Sequence, residues 1–484
     1  MAFSSAAFVF AFLPAVFLLH LVIRGRLARN VLLLLASLLF YSAGSLPHLP
    51  LLVGVTLLNY LAGLLFRKRL RIRKAVLAVT LCLNVAVLAL FKYLGFFGGV
   101  IGDLTGLSLR LPALALPIGV SFFTFQGMSY AIDVYRDPDS GTTDFFELLL
   151  YISFFPQLIA GPIVQYHDVA PQLRRRAADV RQMAEGFRRF IVGLSKKLLL
   201  ADVLGTAVDA LYARTDLLDA RTALLAGIAY CLQIYFDFSG YSDMAIGMGR
   251  MFGFRFPENF DHPYTGSSIR EFWRRWHISL TSWFRDYLYF PLGGNRKGKI
   301  RKYLNKMIVF LVSGLWHGAG FSYIIWGGLN GLYQVIGEMT LPLRKKITDG
   351  LRLHRDSLGH RLFQGVFTFV LVDFSWIFFR ASDLQGALEI IKSIFRANNP
   401  EILVDGSLYG CGLDISNFLL MLAGIGILLF ADLCRRRNIV VRDVILRQDG
   451  WFRWLFIALA VTAILTFGIW GPNYDAAGFI YFQF

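Results

Sequence analysis

The sequence predicts an all-α, polytopic integral membrane protein with about ten or more transmembrane helices. Of its 484 residues, 56% are apolar and only 17% are charged, whereas soluble domains usually carry about 25% charged residues. The apolar residues form long blocks between charged loops, and a bilayer core about 30 Å thick requires about 20 apolar residues per helix. A soluble fold cannot enclose so many blocks. The apolar runs are residues 5–23, 31–44, 50–66, 75–98, 222–238, 307–336, 362–379, 416–433 and 452–470.

The formal charge of +17 is explained by the side of the membrane on which the basic loops lie. Cytosolic loops carry an excess of Lys and Arg, which accounts for the charge better than nucleic-acid binding does. One membrane topology places every basic cluster in the cytosol. In this topology both termini and the segments 45–49, 99–112 and 397–415 lie outside. No positive region precedes the first apolar run, so we expect a retained first span and not a cleaved signal. The basic clusters are residues 24–29, 67–74, 174–197, 270–302, 344–361 and 435–447.

Two segments of the middle third have a broken helical pattern. Residues 114–132 contain Pro117 and several polar side chains, and residues 151–168 break at Pro156 and again at Pro162. Proline removes a backbone donor and disrupts a helix, and broken backbone at membrane depth survives only inside protein or beside water. The sidedness of the flanking loops also requires the second segment to enter and leave by the same face. We therefore expect a re-entrant segment that lines a cavity.

Residues 267–290 are predicted to form one amphipathic helix that lies in the membrane interface. Tryptophan and arginine on opposite faces are typical of such helices, although a surface anchor without chemistry would have the same pattern. The glycine-rich run 291–295 ends the helix and does not match a phosphate-binding loop. The apolar face comprises Phe272, Trp273, Trp276, Leu280, Trp283, Phe284 and Leu288, and the polar face comprises Arg270, Glu271, Arg274, Arg275, Ser282 and Arg285.

His317 lies within a long apolar stretch between Trp316 and Gly318. Ionisable residues inside apolar runs are expensive and are functional candidates, and an imidazole exchanges a proton near neutral pH. The small residues around it leave room for a substrate. A buried histidine bonded to a backbone carbonyl is the alternative, and the residues alone leave the two about equal.

Two further places are candidates for chemistry. His277, beside Trp276 in the predicted interfacial helix, is a second catalytic group, a positioning group or a surface residue. A polar cluster follows the apolar run 222–238 and predicts either a water-filled vestibule that orients His317 or contacts a donor, or a helix end with capping serines. The cluster consists of Asp237, Ser239, Tyr241, Ser242 and Asp243.

Several function classes are disfavoured by what the sequence lacks. The four cysteines are scattered, and neither they nor the eight histidines have the spacing of a metal site. There is no Ser-His-Asp order and no HExxH motif. No internal repeat is visible, which weakens a transporter interpretation because many transporters have one. We treat residues 1–484 as a single domain with a catalytic core at about 116–330.

Six strings closely resemble the bacterial branch of the membrane-bound O-acyltransferase family. The resemblance extends over about residues 1–484 and is densest at 116–173 and 225–330. The strings are LPIGVSFFTFQGMSYAIDVYR (116–136), LIAGPIVQYHDVAPQL (158–173), FDFSGYSDMAIGMGRMFGFRFPENFDHPY with SIREFWRRWHISLTSWFRDYLYFPLGGNR (236–296), GLWHGAGFSYIIWG (314–327) and FIYFQF (479–484).

The resemblance implies a multi-pass helical fold around a central funnel in a bacterial inner membrane. It implies transfer of an acyl group, usually acetyl, from a cytosolic thioester such as acetyl-CoA to a hydroxyl of an exported polysaccharide such as alginate, with an envelope-facing partner and no bound metal. The family's catalytic histidine corresponds to His317 and its second implicated histidine to His277. As donor- or substrate-binding residues we expect Asp237, Ser239, Tyr241, Asp243, Arg274 and Arg275.

Three alternative functions remain open at the sequence level. A D-alanyl group could be transferred from a carrier protein to teichoic acid. The chain could instead transport a polysaccharide or lipid, with His317 as a gating or proton-relay group. It could also be a non-catalytic scaffold for a secreted transferase. The sequence does not identify the polymer.

Overall fold

The computed structural model describes residues 2–68, 71–106, 112, 114–159, 161–176, 179–213, 218–396, 406 and 415–468. Within these ranges every regular element is helical, which agrees with the predicted all-α class. The terminal FIYFQF string and almost all of the predicted outer segment 397–415 lie outside the described residues.

The described helices begin with the half of the chain that precedes the central helix. They are α1 (Leu13–Val22), α2 (Arg26–Ser45), α3 (Leu49–Arg67), α4 (Arg73–Leu88), α5 (Leu94–Thr105), α6 (Val120–Arg136), α7 (Phe145–Ser153), α8 (Phe155–Leu158), α9 (Tyr166–Arg174), α10 (Val180–Ser195) and α11 (Asp202–Ala213). π-helical turns at Phe8–Phe12, Ala89–Tyr93 and Lys196–Ala201 continue into α1, α5 and α11.

The second half starts with the longest helix. Its helices are α12 (Ala220–Met251), α13 (Ile269–Arg275), α14 (Ile278–Phe284), α15 (Gly298–His317), α16 (Phe321–Met339), α17 (Leu341–Gly350), α18 (Leu358–Arg380), α19 (Leu384–Ser393), α20 (Ile415–Arg436), α21 (Val441–Leu446) and α22 (Gly450–Phe467). A fourth π-helical turn, Arg285–Tyr289, follows α14.

Five helical segments among the described residues are long and apolar enough to cross a membrane: Arg26–Arg67, Arg73–Thr105, α12, α18 and α22. This count does not confirm the predicted ten or more crossings. Several predicted spans are divided into shorter helices, and Arg26–Arg67, at 42 residues, contains both α2 and α3. The number of crossings therefore stays a prediction.

Helix α12 lies at the centre of the protein. In its most apolar window 83% of the residues are buried, against 6% in α22, whose side chains face outward. Helix α10 packs closely on it because glycines meet glycines: a Cβ at Gly193 would lie 2.5 Å from the Gly240 carbonyl oxygen, and one at Gly186 would lie 2.5 Å from that of Gly247. Small residues at such contacts allow membrane helices to approach closely.

The broken segment 151–168 has the interruptions that its prolines predict. Helix α7 ends at Ser153, the single turn of α8 contains Pro156, and α9 begins at Tyr166 after extended backbone at Gln165. The described residues of the segment are mostly buried. Gly119, which has a φ of +71°, allows the other broken segment to approach it, since a Cβ there would lie 2.7 Å from the Leu158 carbonyl oxygen.

One sequence prediction about helices is wrong. Residues 267–290 do not form one interfacial helix, because the chain turns sharply at His277 and divides the stretch into α13 and α14. Its tryptophans are at most 8% exposed, so the apolar side packs on other helices and not on lipid. The 30-residue apolar run 307–336 divides into the antiparallel pair α15 and α16 around residues 318–320.

Candidate active site

His317 is the last residue of α15, so it stands at a helix end although it lies in the middle of a long apolar stretch of sequence. Extended backbone at Gly318 and Gly320 turns the chain directly into α16. The two helices touch backbone to backbone: a Cβ at Gly314 would lie 2.2 Å from the Tyr323 carbonyl oxygen. Glycine is therefore required where the hairpin closes behind the histidine.

The His317 ring is surrounded by aromatic side chains. Its centroid lies 4.9 Å from that of Trp316, 5.1 Å from Trp326 and 5.2 Å from Phe379, all in edge-to-face geometry. Only 4% of the residue is exposed. These rings come from α15, α16 and α18, so three helices fix the orientation of the imidazole.

A lysine from a distant helix holds the end of α15. The Lys92 ammonium donates hydrogen bonds to the carbonyl oxygens of Trp316, at 2.6 Å, and His317, at 3.0 Å. The neighbouring Tyr93 hydroxyl donates to the Leu315 carbonyl. The last carbonyls of a helix have no partner within it and carry the negative end of its dipole. Lys92 and Tyr93 therefore satisfy the helix end that carries His317.

A cavity of about 70 Å³ lies beside His317, with room for a few water molecules. Most of its described wall comes from the broken segment 114–132, whereas the predicted re-entrant segment 151–168 contributes Ile159. The described lining residues are Lys92, Leu116, Pro117, Ile118, Gly119, Val120, Ser121, Phe122, Ile159, Trp316 and His317.

His277 occupies the sharp corner between α13 and α14. It has a φ of +44°, a conformation that costs a non-glycine residue about 1–3 kcal/mol and persists only where surrounding structure imposes it. Two backbone hydrogen bonds impose it here: the Ile278 N–H donates to the Asn259 carbonyl at 3.0 Å, and the Asp261 N–H donates to the Arg275 carbonyl at 2.9 Å. Strained backbone of this kind clusters at functional sites.

The Asn259 side chain orients the His277 ring. Asn259 Oδ1 lies 3.1 Å from His277 Nδ1 and accepts from the Ser279 hydroxyl at 2.9 Å, while its Nδ2 donates to the Ser242 hydroxyl at 3.0 Å. Because Oδ1 is an acceptor, His277 Nδ1 carries the proton. In a neutral ring Nε2 is then an acceptor.

Trp316 connects the two histidines. Its ring centroid lies 4.9 Å from that of His317 and 6.3 Å from that of His277. Phe238 packs edge-on against His277 from α12, with centroids 4.6 Å apart. His277 does not belong to the described cavity lining. The structure thus brings the two predicted catalytic histidines around one indole, with only His317 at the cavity.

The predicted polar cluster is not a helix end, because it lies in the middle of the 32-residue α12. Asp237 pairs with Lys197, with Nζ and Oδ1 2.7 Å apart, and Asp243 pairs with Lys196 at 2.7 Å and with Arg189 at 2.8 Å. Buried charges are normally paired in this way. The basic partners come from α10 and the π turn after it. Each acid therefore links α12 to a neighbouring helical segment by an ion pair.

The remaining predicted binding residues are also absent from the described cavity lining. Ser239 and Tyr241 are buried in α12, where Tyr241 stacks on Phe3 with ring centroids 4.4 Å apart. Arg274 is exposed, and Arg275 pairs with Glu271 and donates to the Thr265 hydroxyl at 2.8 Å. Within the described chain, no group of three or more His, Cys, Asp or Glu side chains is arranged to hold a metal.

The family of the chain follows from comparison with known sequences. The sequence profile described as MBOAT, membrane-bound O-acyltransferase family, matches residues 113–374. The chain belongs to the membrane-bound O-acyltransferase family. It is therefore an acyltransferase of the membrane. His277 and His317 both lie inside the matched region.

Named relatives of this acyltransferase include two kinds of O-acetyltransferase. The chain is 41% identical over 403 residues to the probable alginate O-acetylase AlgI of Pseudomonas aeruginosa, which covers 82% of this chain and 75% of the relative. It is 35% identical over 430 residues to a peptidoglycan O-acetyltransferase of Helicobacter pylori, covering 82% and 80%. A teichoic acid D-alanyltransferase of Bacillus subtilis is 28% identical over 43% of the chain.

Sequence reasoning missed two residues that position the histidines of the acyltransferase. Lys92 has a visible signal, because it is a lysine inside the apolar run 75–98 and charges in such runs are functional candidates. Asn259 has no comparable signal, since asparagine is common in loops. Only the folded chain brings it to His277.

Proposed function

We propose that this enzyme transfers an acetyl group from cytosolic acetyl-CoA to a hydroxyl of an exported polysaccharide. The observation that carries the proposal is His317, held at the end of α15 by Lys92 and an aromatic enclosure and open to a cavity. The O-acetyltransferase names of the relatives support acetyl as the group and a glycan as the acceptor.

In the proposed reaction a His317 ring nitrogen acts as general base. It takes the proton of the acceptor hydroxyl while that oxygen attacks the thioester carbonyl carbon. The tetrahedral intermediate collapses, the C–S bond breaks, and the imidazolium returns the proton to the leaving thiolate. The products are the O-acetyl ester and free thiol, so no other reactant is required. Positioned bases contribute about 10²–10⁴-fold to such reactions.

The developing oxyanion requires hydrogen-bond donors. Backbone N–H groups near residues 318–320 are candidates for these donors. The Gly318 N–H already donates to the Gly314 carbonyl at 3.2 Å, so the candidate donors are the N–H groups of Ala319, Gly320 and the first turn of α16. That turn has no side-chain cap, and a helix N-terminus favours negative charge. A neutral His277 has its proton on Nδ1, so its Nε2 cannot donate to the oxyanion, and we assign His277 a positioning role through its packing on Trp316.

We further propose that residues 1–484 form one catalytic domain in the bacterial inner membrane, with basic loops in the cytosol and the N-terminus outside. The charge distribution supports this orientation. Residues from outside the predicted core 116–330, namely Lys92 and Phe379, also contribute to the His317 site. An envelope-facing partner that delivers acetyl to the polymer fits a chain with short outer segments. Substrate contacts by Asp237, Ser239, Tyr241, Asp243, Arg274 and Arg275 stay a prediction.

The test is the substitution His317→Ala, with His354→Ala, an exposed histidine, as matched control. We expect acetyl transfer to polymer to fall about 10²–10⁴-fold in the first variant, the contribution of a positioned base, and to be unchanged in the second. Transfer and acetyl-CoA hydrolysis are both measured on folded, purified protein. Unchanged turnover by folded His317→Ala protein would remove the base assignment.

Donor choice separates acetylation from D-alanylation, for which the distant relative in Bacillus subtilis gives weaker support. We expect purified enzyme to consume free acetyl-CoA without a carrier protein. A strict requirement for an acyl-carrier protein would overturn the acetyl-CoA assignment and favour D-alanyl transfer.

A further inference from the structure

A cluster of cationic side chains lies where α1 ends and α2 begins. Arg29 donates from Nε to the Ile23 carbonyl at 2.9 Å, and Arg26 donates to the Arg174 carbonyl. Arg176, from the loop after α9, reaches the same place and donates from Nη1 to Asn30 Oδ1 at 2.5 Å. All these acceptors are neutral, so the contacts orient the guanidinium groups without compensating their charge.

Arg176 has one buried donor without an acceptor among the described residues. Its Nε donates to the Phe252 carbonyl at 3.1 Å and its guanidinium lies 4.5 Å from the centre of the Phe254 ring. Its Nη2 is buried, with no hydrogen-bond acceptor among the described residues. Burial and the nearby Arg29 and Arg26 lower the pKa of Arg176 to about 10. The guanidinium is thus fixed in place while its charge is repelled by its neighbours.

His20 is a second unsatisfied group at this place. It is 1% exposed, and neither ring nitrogen has a hydrogen-bond partner in the part of the chain that the structure describes. Its ring packs edge-on against Phe252, with centroids 5.3 Å apart, and Phe252 is the residue whose carbonyl accepts from Arg176. Arg176 and Arg29 are the charged groups that act on it. Buried polar groups without partners are costly and indicate an additional ligand.

Among the described residues, the cluster has no counter-charge. Arg174, two residues before Arg176, pairs with Glu147 at 2.9 Å, whereas none of Arg26, Arg29 and Arg176 pairs with a carboxylate among the described residues. The N-terminus of the 20-residue α2 adds positive potential, because Gly25 at its N-cap provides no side-chain cap. Cations at this end of a helix are unfavourable. A bound anion would reduce the repulsion between the cations and interact favourably with the positive end of the α2 dipole. It would also accept hydrogen bonds from the buried donors.

We propose that Arg26, Arg29, Arg176 and His20 form a binding site for a phosphate group. Phosphate oxygens match guanidinium donors and a helix N-terminus, and the site belongs to the basic face of the protein. Two sources carry this chemistry: the phosphates of a coenzyme A donor, which rests on the proposed function, and the headgroup of an anionic phospholipid. The site is distinct from the basic stretch 270–302.

The test compares Arg176→Gln with Arg176→Lys, which keeps the charge, and with Arg181→Gln as matched control. Arg181 belongs to the same basic stretch, but its side chain is 89% exposed. Full-length protein is purified in detergent. Coenzyme A binding is measured by calorimetry without turnover, and retained phosphatidylglycerol is counted by native mass spectrometry. Melting temperatures verify that each variant is folded.

For a donor site we expect Arg176→Gln to weaken coenzyme A binding about tenfold or more, since losing a charged hydrogen bond has an effect of this size, with a smaller loss in Arg176→Lys and none in Arg181→Gln. For a lipid site, Arg176→Gln loses one bound phosphatidylglycerol while coenzyme A binding is unchanged. If the folded variant retains both, the phosphate site is overturned. If wild-type protein does not bind coenzyme A, the donor in the proposed function is wrong, and the lipid measurement still tests the site.

Discussion

At the scale of single residues, Asn259 fixes the orientation of His277, the second candidate catalytic histidine. One amide oxygen accepts from both His277 Nδ1 and Ser279, and the amide nitrogen is engaged by Ser242. The amide therefore cannot rotate without losing a bond. This fixes the tautomer of His277 and the direction of its ring, which faces Phe238 and Trp316.

We predict that Asn259→Leu, which keeps the side-chain volume but removes the amide, lowers kcat roughly 10–100-fold, because a small displacement of a catalytic group has such an effect. Steady-state kinetics on purified protein measure it. The control is the same change in a His277→Ala background, where the expected further loss is small because the two residues act as one unit. An equal loss in both backgrounds would mean that Asn259 maintains the loop and does not act through His277.

At the scale of elements, one hydrogen-bonded contact joins the long segment Arg73–Thr105 to the end of α15. The π turn Ala89–Tyr93 places Lys92 and Tyr93 side by side, and their donors meet three consecutive carbonyls of α15. π turns inside helices are frequent at functional sites. The position of His317 therefore depends on an element more than 200 residues away in the chain.

We predict that Lys92→Met lowers kcat at least tenfold and also lowers the melting temperature. The change leaves two carbonyls without a donor, at a cost of about 1–3 kcal/mol each, and loosens the helix end that holds His317. Lys92→Arg should recover much of the activity, since it keeps the charge and the donors. Lys74→Met, exposed on the same segment, is the control. Normal kcat in Lys92→Met protein would separate Lys92 from the reaction.

At the scale of the whole molecule, ion pairs lie around the buried central helix α12, whereas the outer α22 exposes apolar side chains. Central α12 carries Asp237 and Asp243, and their basic partners come from the packed neighbouring helices. The outer α22 instead exposes large apolar side chains, including Trp451 and Trp454. A bilayer around this apolar surface would separate the basic loops from the outer segments, which is the arrangement that transfer across a membrane requires.

This arrangement predicts sidedness of donor use. Inverted inner-membrane vesicles should consume acetyl-CoA that is added outside, whereas sealed right-side-out vesicles should do so only after detergent opens them, because the phosphates of the donor prevent it from crossing lipid. Radiolabelled acetyl-CoA measures consumption, and vesicles with the His317→Ala variant give the background. Equal consumption by both intact orientations would contradict the proposed topology.

Particular residues show how much of the candidate site could be predicted from the sequence. His317 and His277 are catalytic candidates because of their surroundings and the family strings, and both of these signals are local in the sequence. The interfacial helix is predicted as one element because helical periodicity continues through His277, and nothing in that pattern reveals a residue with positive φ. Asp237 and Asp243 are assigned to a water-filled vestibule in the sequence analysis because their ion-pair partners are 40 or more residues away in the chain. These partners are Lys197, Lys196 and Arg189.

The sequence by itself determined the all-α membrane class, the family and the two histidines, because blocked hydropathy and contiguous motifs are properties of neighbouring residues. Only the tertiary structure decided that His317 ends a helix, that Lys92 holds that end, that Asn259 orients His277, and that Arg176 meets Arg29 and His20. Each of these contacts joins elements far apart in the chain. Their geometry follows from how the helices pack, which local patterns do not specify.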